Sequence, residues 1–169
     1  MKISVPKEMN TNNVFPAGIY RFTISTTPKV DKSASSDNLL IKPEFTCMTP
    51  VGPDGSKTQG RKVWDNWTVA PQCLPIWNNA FKALTGADIP AGDFEIDEFV
   101  NMITSQVTGK ECILEIGIDY QKKDAAGKWV KCGPDDPDVV QRNRIKKAMS
   151  VGGGETSAPK ALVRGAARR

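Results

Sequence analysis

The feature that most constrains the fold is the stretch from Glu111 to Tyr120, where every second residue is apolar and the residues between them are mostly polar or small. Successive side chains of a β-strand point to opposite faces of its sheet. One face of this stretch carries Cys112, Leu114, Ile116, Ile118 and Tyr120, and the other carries Glu111, Ile113, Glu115, Gly117 and Asp119. The alternation therefore predicts a strand that buries one face in a core.

A hairpin is predicted directly after this strand. Ala125-Ala126-Gly127 is a turn sequence, and the residues from Lys128 to Cys132 return as a paired strand. Trp129 stands between Lys128 and Lys131, with Lys122 and Lys123 across the turn. This aromatic and basic cluster is either part of a binding surface or a solvated hairpin tip.

Two earlier stretches also have the pattern of strands. In the stretch from Ile19 to Thr26, Tyr20, Phe22 and Ile24 alternate with polar residues, which predicts a strand with one buried face. The stretch from Leu39 to Met48 predicts a second strand, with an edge or a bulge at Pro43.

The stretch from Arg61 to Val69 is predicted as a single strand. Its alternation places Lys62 and Trp64 on one face, and Val63, Trp67 and Val69 on the other. The second face is predicted to be buried. The first places a cation beside an aromatic ring, which is how proteins hold unpaired nucleobases.

Helices are predicted in the middle of the chain. Leu74, Trp77, Phe81 and Leu84 recur at helical spacing before a stop at Gly86. A second helix is predicted from about Glu95 to Ser105, and its acidic beginning suits the helix dipole. The segment 139–149 is either a last strand or a short helix; as a strand it places Arg142, Arg144 and Lys146 on one face.

The order of these elements is three strands, a helical segment, and two or three further strands. This order predicts a mainly β OB-fold-like barrel of five strands, with the helical segment between strands 3 and 4. We expect an N-terminal arm over residues 1–15, the OB-like domain over 16–149, and a flexible basic tail over 150–169.

The charge of the chain is unevenly distributed. Residues 1–141 contain 15 Lys and Arg against 18 Asp and Glu, whereas residues 142–169 contain 8 against 1. A nucleic-acid interface in the body must therefore be a local basic face. No apolar run has the length of a membrane span and no signal peptide is recognisable, so we expect a cytoplasmic protein.

The residue types argue against metal and acid–base chemistry. The chain has no histidine, and its four cysteines lie far apart in the sequence. Zinc sites usually use paired ligands, so we expect no metal and no cofactor. Cys47 and Cys112 fall on inward strand positions, where a cysteine packs as a small apolar residue. With no nucleophile motif and no acid–base pair, we expect a protein without enzymatic activity.

Short motifs in four places resemble the single-stranded DNA-binding proteins of bacteriophages, which are small OB-fold proteins. The motifs are Pro16-Ala17-Gly18-Ile19-Tyr20, Gly60-Arg61-Lys62-Val63-Trp64-Asp65-Asn66, Trp77 through Phe81-Lys82-Ala83-Leu84-Thr85-Gly86, and Arg142-Asn143-Arg144-Ile145-Lys146-Lys147. The resemblance implies sequence-tolerant binding of single-stranded DNA in phage replication or recombination, with replication or recombination proteins as further partners. Many proteins of this class end in an acidic tail, whereas this chain ends in a basic one, which either adds electrostatic affinity for DNA or contacts an acidic protein.

The predicted interface combines aromatic rings with cations. Trp64 is the main stacking candidate, with Trp129 and Tyr20 as lesser candidates. The phosphate-binding candidates are Arg21, Lys42, Lys62, Lys122, Lys123, Lys131, Arg142, Arg144 and Lys146. The alternative is a phage structural or assembly module that uses the barrel as a scaffold for protein–protein contacts, which the slightly acidic body fits equally well.

Overall fold

The computed structural model describes residues 14–34 and 36–152, in which the chain forms nine strands and two helices. The first six strands are β1 (Gly18–Thr23), β2 (Lys29–Lys32), β3 (Leu39–Lys42), β4 (Glu44–Cys47), β5 (Lys62–Trp64) and β6 (Trp67–Val69). The remaining elements are α1 (Leu74–Thr85), α2 (Ile96–Val107), β7 (Glu111–Lys123), β8 (Trp129–Lys131) and β9 (Val140–Met149). The predicted tail lies outside the described residues from position 153 onward, as does the predicted arm up to position 13.

The strands form two antiparallel sheets. In the larger sheet, β1 pairs with β4 and β7, β5 pairs with β4, and both β8 and β9 pair with β7. In the smaller sheet, β3 lies between β2 and β6. The mainly β class is thus confirmed. The sheets do not close into a complete barrel: among the described strands, neither β5 nor β6 pairs with β9.

Helix α1 packs against β6 of the smaller sheet and against β9 of the larger sheet. Both helices lie between β6 and β7 in the chain. Pro75 occupies the first turn of α1, where its missing N–H is tolerated, and Gly86 ends the helix with a left-handed φ of 86°. Helix α2 has Asp97 and Glu98 in its first turn, as predicted. No helix in the described part of the chain is long and apolar enough to span a membrane.

Two of the predicted strands are each divided between the two sheets. The predicted strand from Leu39 to Met48 breaks at Pro43, which separates β3 from β4. The predicted strand from Arg61 to Val69 breaks at Asp65 and Asn66, which separate β5 from β6. The N–H of Asp65 donates to the carbonyl of Pro43 at 3.2 Å. The chain therefore passes between the sheets at two adjacent points.

The core lies where the sequence alternation places it. Phe22 of β1 is paired with Cys112 of β7 and Cys47 of β4, and all three side chains are buried. The predicted inward positions of Cys47 and Cys112 are confirmed. Burial raises the pKa of the Cys112 thiol to about 12, so it remains protonated and packs as an apolar group.

The segment before β1 is also part of the core. Phe15 is buried, and its backbone N–H and carbonyl both bond to the side chain of Asn143 on β9, at 2.6 and 2.7 Å. The guanidinium of Arg61 lies over the Phe15 ring at 5.1 Å. The folded unit therefore includes residues 14 and 15, which the sequence assigned to the arm.

The two tryptophans at the junction of β6 and α1 form the centre of the helix–sheet contact. The rings of Trp67 and Trp77 are stacked with centroids 5.0 Å apart and an interplanar angle of 2°. The indole N–H of Trp67 donates to the Asp65 carboxylate at 3.0 Å, and that of Trp77 donates to the Thr68 carbonyl at 3.0 Å. Both polar atoms of these buried rings are thus paired.

Asp65 gives a pH-dependent prediction. Burial raises the pKa of this carboxyl above its ordinary value of 3.8, despite hydrogen bonds from the Asn66 and Trp67 N–H groups. The unfolded chain ionises at the ordinary value, so this group reduces stability as the pH rises from there through its raised pKa. Asp65→Asn should therefore gain stability relative to the natural chain as the pH rises through this range.

Urea unfolding of both proteins at pH values from about 3 to about 7 would measure this difference. The other carboxyls are present in both chains, so their titration cancels in the comparison. A difference in the free energy of unfolding that stayed constant across the pH range would contradict the assignment.

Candidate nucleic-acid interface

Most of the predicted binding residues share one surface. The larger sheet has a buried side and a solvent side, which we call the outer face; β-strand alternation assigns each residue to one of them. Nine of the twelve candidates lie on the outer face: Arg21, Lys62, Trp64, Lys123, Trp129, Lys131, Arg142, Arg144 and Lys146.

The other three candidates lie elsewhere. Tyr20 was wrongly predicted as a stacking residue: it is 2% exposed, its hydroxyl donates to the Pro16 carbonyl at 2.7 Å, and its ring packs edge-on against Phe15. Lys122 lies on the opposite side from Lys123 and is 3.9 Å from the Asp136 carboxylate. Lys42 lies in the smaller sheet, paired with Asp31 at 3.2 Å.

Ion pairs neutralise much of the outer face. Lys62 is paired with Glu44 at 2.9 Å, and Arg144 with Asp119 at 3.1 Å. Lys146 lies 3.5 Å from Glu115, and Arg21 forms an ion pair with Glu111. Exposed pairs of this kind contribute little to stability, so a phosphate group is able to displace the carboxylate, but it must compete with it.

Trp64 occupies the β5 end of the outer face. Its side chain is 63% exposed, and its indole N–H donates to Glu44 at 3.1 Å. Hydrogen bonds from Lys62 and then Trp64 hold the pKa of the Glu44 carboxyl below its ordinary value of 4.5. Trp64 thus offers an accessible ring, but with an ionised carboxylate beside it.

Trp129 occupies the opposite end, on the β7–β8 hairpin. Its side chain is 41% exposed, with the Lys123 ammonium 5.4 Å and the Arg142 guanidinium 4.8 Å from the ring centroid. Lys131 lies on the same face, opposite Gln121. Within residues 14–34 and 36–152, Lys123, Lys131 and Arg142 form no ion pair. This end therefore combines an exposed aromatic ring with cations that form no ion pair in the described part of the chain.

The local sequence explains why this hairpin forms. The side chain of Asp124 accepts hydrogen bonds from the N–H groups of Ala126 and Lys128, both at 2.9 Å. Gly127 adopts a φ of 80°, the left-handed conformation that glycine tolerates. The turn fixes Trp129 opposite Lys123, and the Asp124 carboxylate accepts hydrogen bonds from the backbone of the turn itself.

The two tryptophans are far apart on the outer face. Trp64 is opposite Glu44, near the β7 residue Glu111, whereas Trp129 is opposite Lys123 at the other end of β7. At about 3.3 Å per residue, this separation is on the order of 40 Å along the sheet. The two rings are therefore separate exposed aromatic groups, too far apart for one small molecule to contact both.

The prediction missed Lys147, which also lies on the outer face. A register shift in β9 leaves Lys147 opposite Glu115 but Ile145 opposite Ile116, so Lys146 is an extra residue. Such a bulge turns two consecutive side chains to the same side. Strict alternation assigns Lys147 to the buried side, and the only hint of the bulge is Gly117, against which the Lys146 chain packs.

Comparison with known proteins does not assign this surface. No protein-family model matches the sequence, and no curated protein matches it significantly. In the described part of the chain, no group of three or more His, Cys, Asp or Glu residues is placed to hold a metal ion.

Proposed function

We propose that this chain binds single-stranded DNA without strong sequence preference and without catalysis. The observation that carries the proposal is the cluster of Trp129, Lys123, Lys131 and Arg142 at the hairpin end of the outer face. Aromatic rings stack on bases of any sequence, and adjacent cations bind the backbone phosphates. Trp64 and Lys62 form a second contact at the β5 end.

The proposed fold is an OB-like barrel that is partly open. Its support is the strand pairing: with β3–β4 taken as one bent strand and β5–β6 as another, these two and β1 precede the helical segment, together with the short strand β2, and the β7–β9 ladder follows it. OB-folds are five-stranded, partly open Greek-key barrels that bind oligonucleotides on a sheet face. A role in phage DNA replication or recombination is supported by the sequence resemblance alone.

The proposal is tested by comparing affinities for labelled single-stranded DNA, RNA of the same length and duplex DNA at moderate salt. We expect single-stranded DNA to bind well and the duplex poorly, because paired bases offer no free ring faces for stacking. A scaffold for protein contacts is the second candidate, since ion pairs neutralise the middle of the outer face. That function predicts weak binding to all three nucleic acids.

Glu44→Gln is expected to strengthen single-stranded DNA binding by roughly 1.5- to 5-fold, the equivalent of one exposed ion pair. The substitution removes the negative charge beside Lys62 and Trp64 and keeps an oxygen that accepts from the Trp64 indole. Titration of a fluorescent oligothymidine measures the change.

Asp37→Asn is the matched control for Glu44→Gln. It removes one exposed carboxylate from the loop between β2 and β3, which carries no outer-face residue. An equal gain in both variants would show that only total charge matters and that the β5 end is not a contact.

A further inference from the structure

A groove of about 700 Å³ opens between α1 and the connection that leads to α2. Leu74 and Pro75 of α1 line one wall, and Ile89, Phe94 and Ile96 line the other. Phe94 is 39% exposed and Ile96 is 50% exposed. Apolar side chains therefore face solvent in a concave site that is distinct from the outer face of the larger sheet.

The surroundings of the groove are acidic. Asp88 and Asp93 line it, and Glu95, Asp97 and Glu98 follow at the start of α2, with no Lys or Arg between positions 86 and 98. Of these five acids, only Asp88 forms an ion pair within the described residues, with Lys82 at 3.7 Å. The groove thus fits a segment that has apolar side chains flanked by cations.

We propose that the groove binds the basic C-terminal segment of its own chain, residues 159–169. Leu162 and Val163 are flanked by Lys160 and Arg164, and Arg168 and Arg169 follow. Leu162 and Val163 provide the apolar contact, and the two flanking cations approach Asp88 and Asp93. The segment and the groove thus match in charge and in apolar character. This match does not depend on the proposed DNA binding.

The chain is long enough for this arrangement. Gly152 is the last described residue, and the eight residues from there to Lys160 extend up to about 26 Å. Strand β9 packs against α1, whose 12 residues span about 18 Å. The available length exceeds that of α1, which allows the segment to reach the groove of its own molecule.

The test uses the full chain and follows backbone amide resonances by NMR. The double variant Lys160→Glu with Arg164→Glu is expected to shift the amide resonances of groove residues such as Ile89, Phe94 and Ile96. Resonances of the outer face, such as those of Lys131 and Arg142, should not move. Leu162→Ser should shift the same groove resonances, because it removes the apolar contact.

The reciprocal variant changes the groove. Asp93→Lys should shift the resonances of residues 160–164, whereas Asp135→Lys, the same charge change on the exposed β8–β9 loop, which does not line the groove, should leave them in place. Unchanged groove resonances in the tail variants would overturn the proposal, as would equal effects of Asp93→Lys and Asp135→Lys. Groove shifts that disappear on dilution would also overturn it, because they would assign the bound segment to a second copy.

Discussion

Trp129→Ala is expected to weaken binding to a fluorescent oligothymidine by roughly 5- to 150-fold, which corresponds to about 1–3 kcal/mol for one stacked base. The ring is accessible, and it contacts two cations, Lys123 and Arg142, that form no ion pair within the described residues. Its loss removes the stacking surface and also the group that orders Lys123 and Arg142. The affinity is measured by fluorescence titration at constant salt, because phosphate contacts depend on ionic strength.

Two variants make the Trp129 result specific. Trp129→Phe keeps an aromatic surface and should retain most of the affinity. Trp64→Ala should produce a smaller loss than Trp129→Ala, since Glu44 places a negative charge beside the Trp64 ring. Unchanged affinity in Trp129→Ala, with the fold intact by circular dichroism, would remove the hairpin end from the interface.

Trp67→Ala is expected to lower the free energy of unfolding by about 3–5 kcal/mol, the range for truncating a large buried aromatic residue. Trp67 is fully buried and stacked on Trp77, so its removal leaves a cavity between β6 and α1. It also removes the indole N–H that donates to the half-buried Asp65 carboxylate, which then has fewer partners. Urea unfolding monitored by circular dichroism measures the loss.

Trp64→Ala is the matched control for stability, because it is the same substitution three positions earlier at an exposed site. It should change the free energy of unfolding by no more than about 0.5 kcal/mol. Together the two variants separate binding from stability. Equal losses of stability would contradict the division of this stretch into one exposed and one buried tryptophan.

The sequence predicts the regular elements of this fold well. Helix α2 is expected from about Glu95 to Ser105 and spans Ile96–Val107, and the long alternating strand is β7. The exposure of Trp64 and the burial of Trp67 also follow from alternation. These predictions succeed because each depends on a regular spacing of apolar residues in a short stretch of sequence, and these residues face one continuous core.

The features that were predicted wrongly or missed do not produce a regular spacing of apolar residues in the nearby sequence. The break at Asp65 and Asn66 arises because the chain moves from one sheet to the other. The alternation of buried and exposed side chains is the same before and after the break, so the sequence pattern does not reveal it. The bulge at Lys146 likewise depends on the partner strand β7. Tyr20 differs: its alternation with Phe22 and Ile24 already predicts burial, which excludes stacking on a base.

Only the structure shows which of the cations form ion pairs with carboxylates. Arg21, Arg144 and Lys146 resemble Lys131 and Arg142 in the sequence, yet the first three form ion pairs with carboxylates on neighbouring strands. Lys131 and Arg142 form none within the described residues, although Arg142 lies opposite Asp119, because the Asp119 carboxylate bonds to Arg144. Cross-strand neighbours depend on register, which the turns and the core determine together. The structure therefore moves the main expected contact from Trp64 to Trp129.

The chain crosses from one sheet to the other at Pro43 and again at Asp65, and we call this boundary between the sheets the crease. Both connections between the sheets lie side by side there, joined by the hydrogen bond from the Asp65 N–H to the Pro43 carbonyl. The strands on the far side of the crease, β2, β3 and β6, carry none of the outer-face side chains. The loop between β2 and β3 is consequently a suitable attachment point for a fluorophore or affinity tag that must leave the outer face untouched.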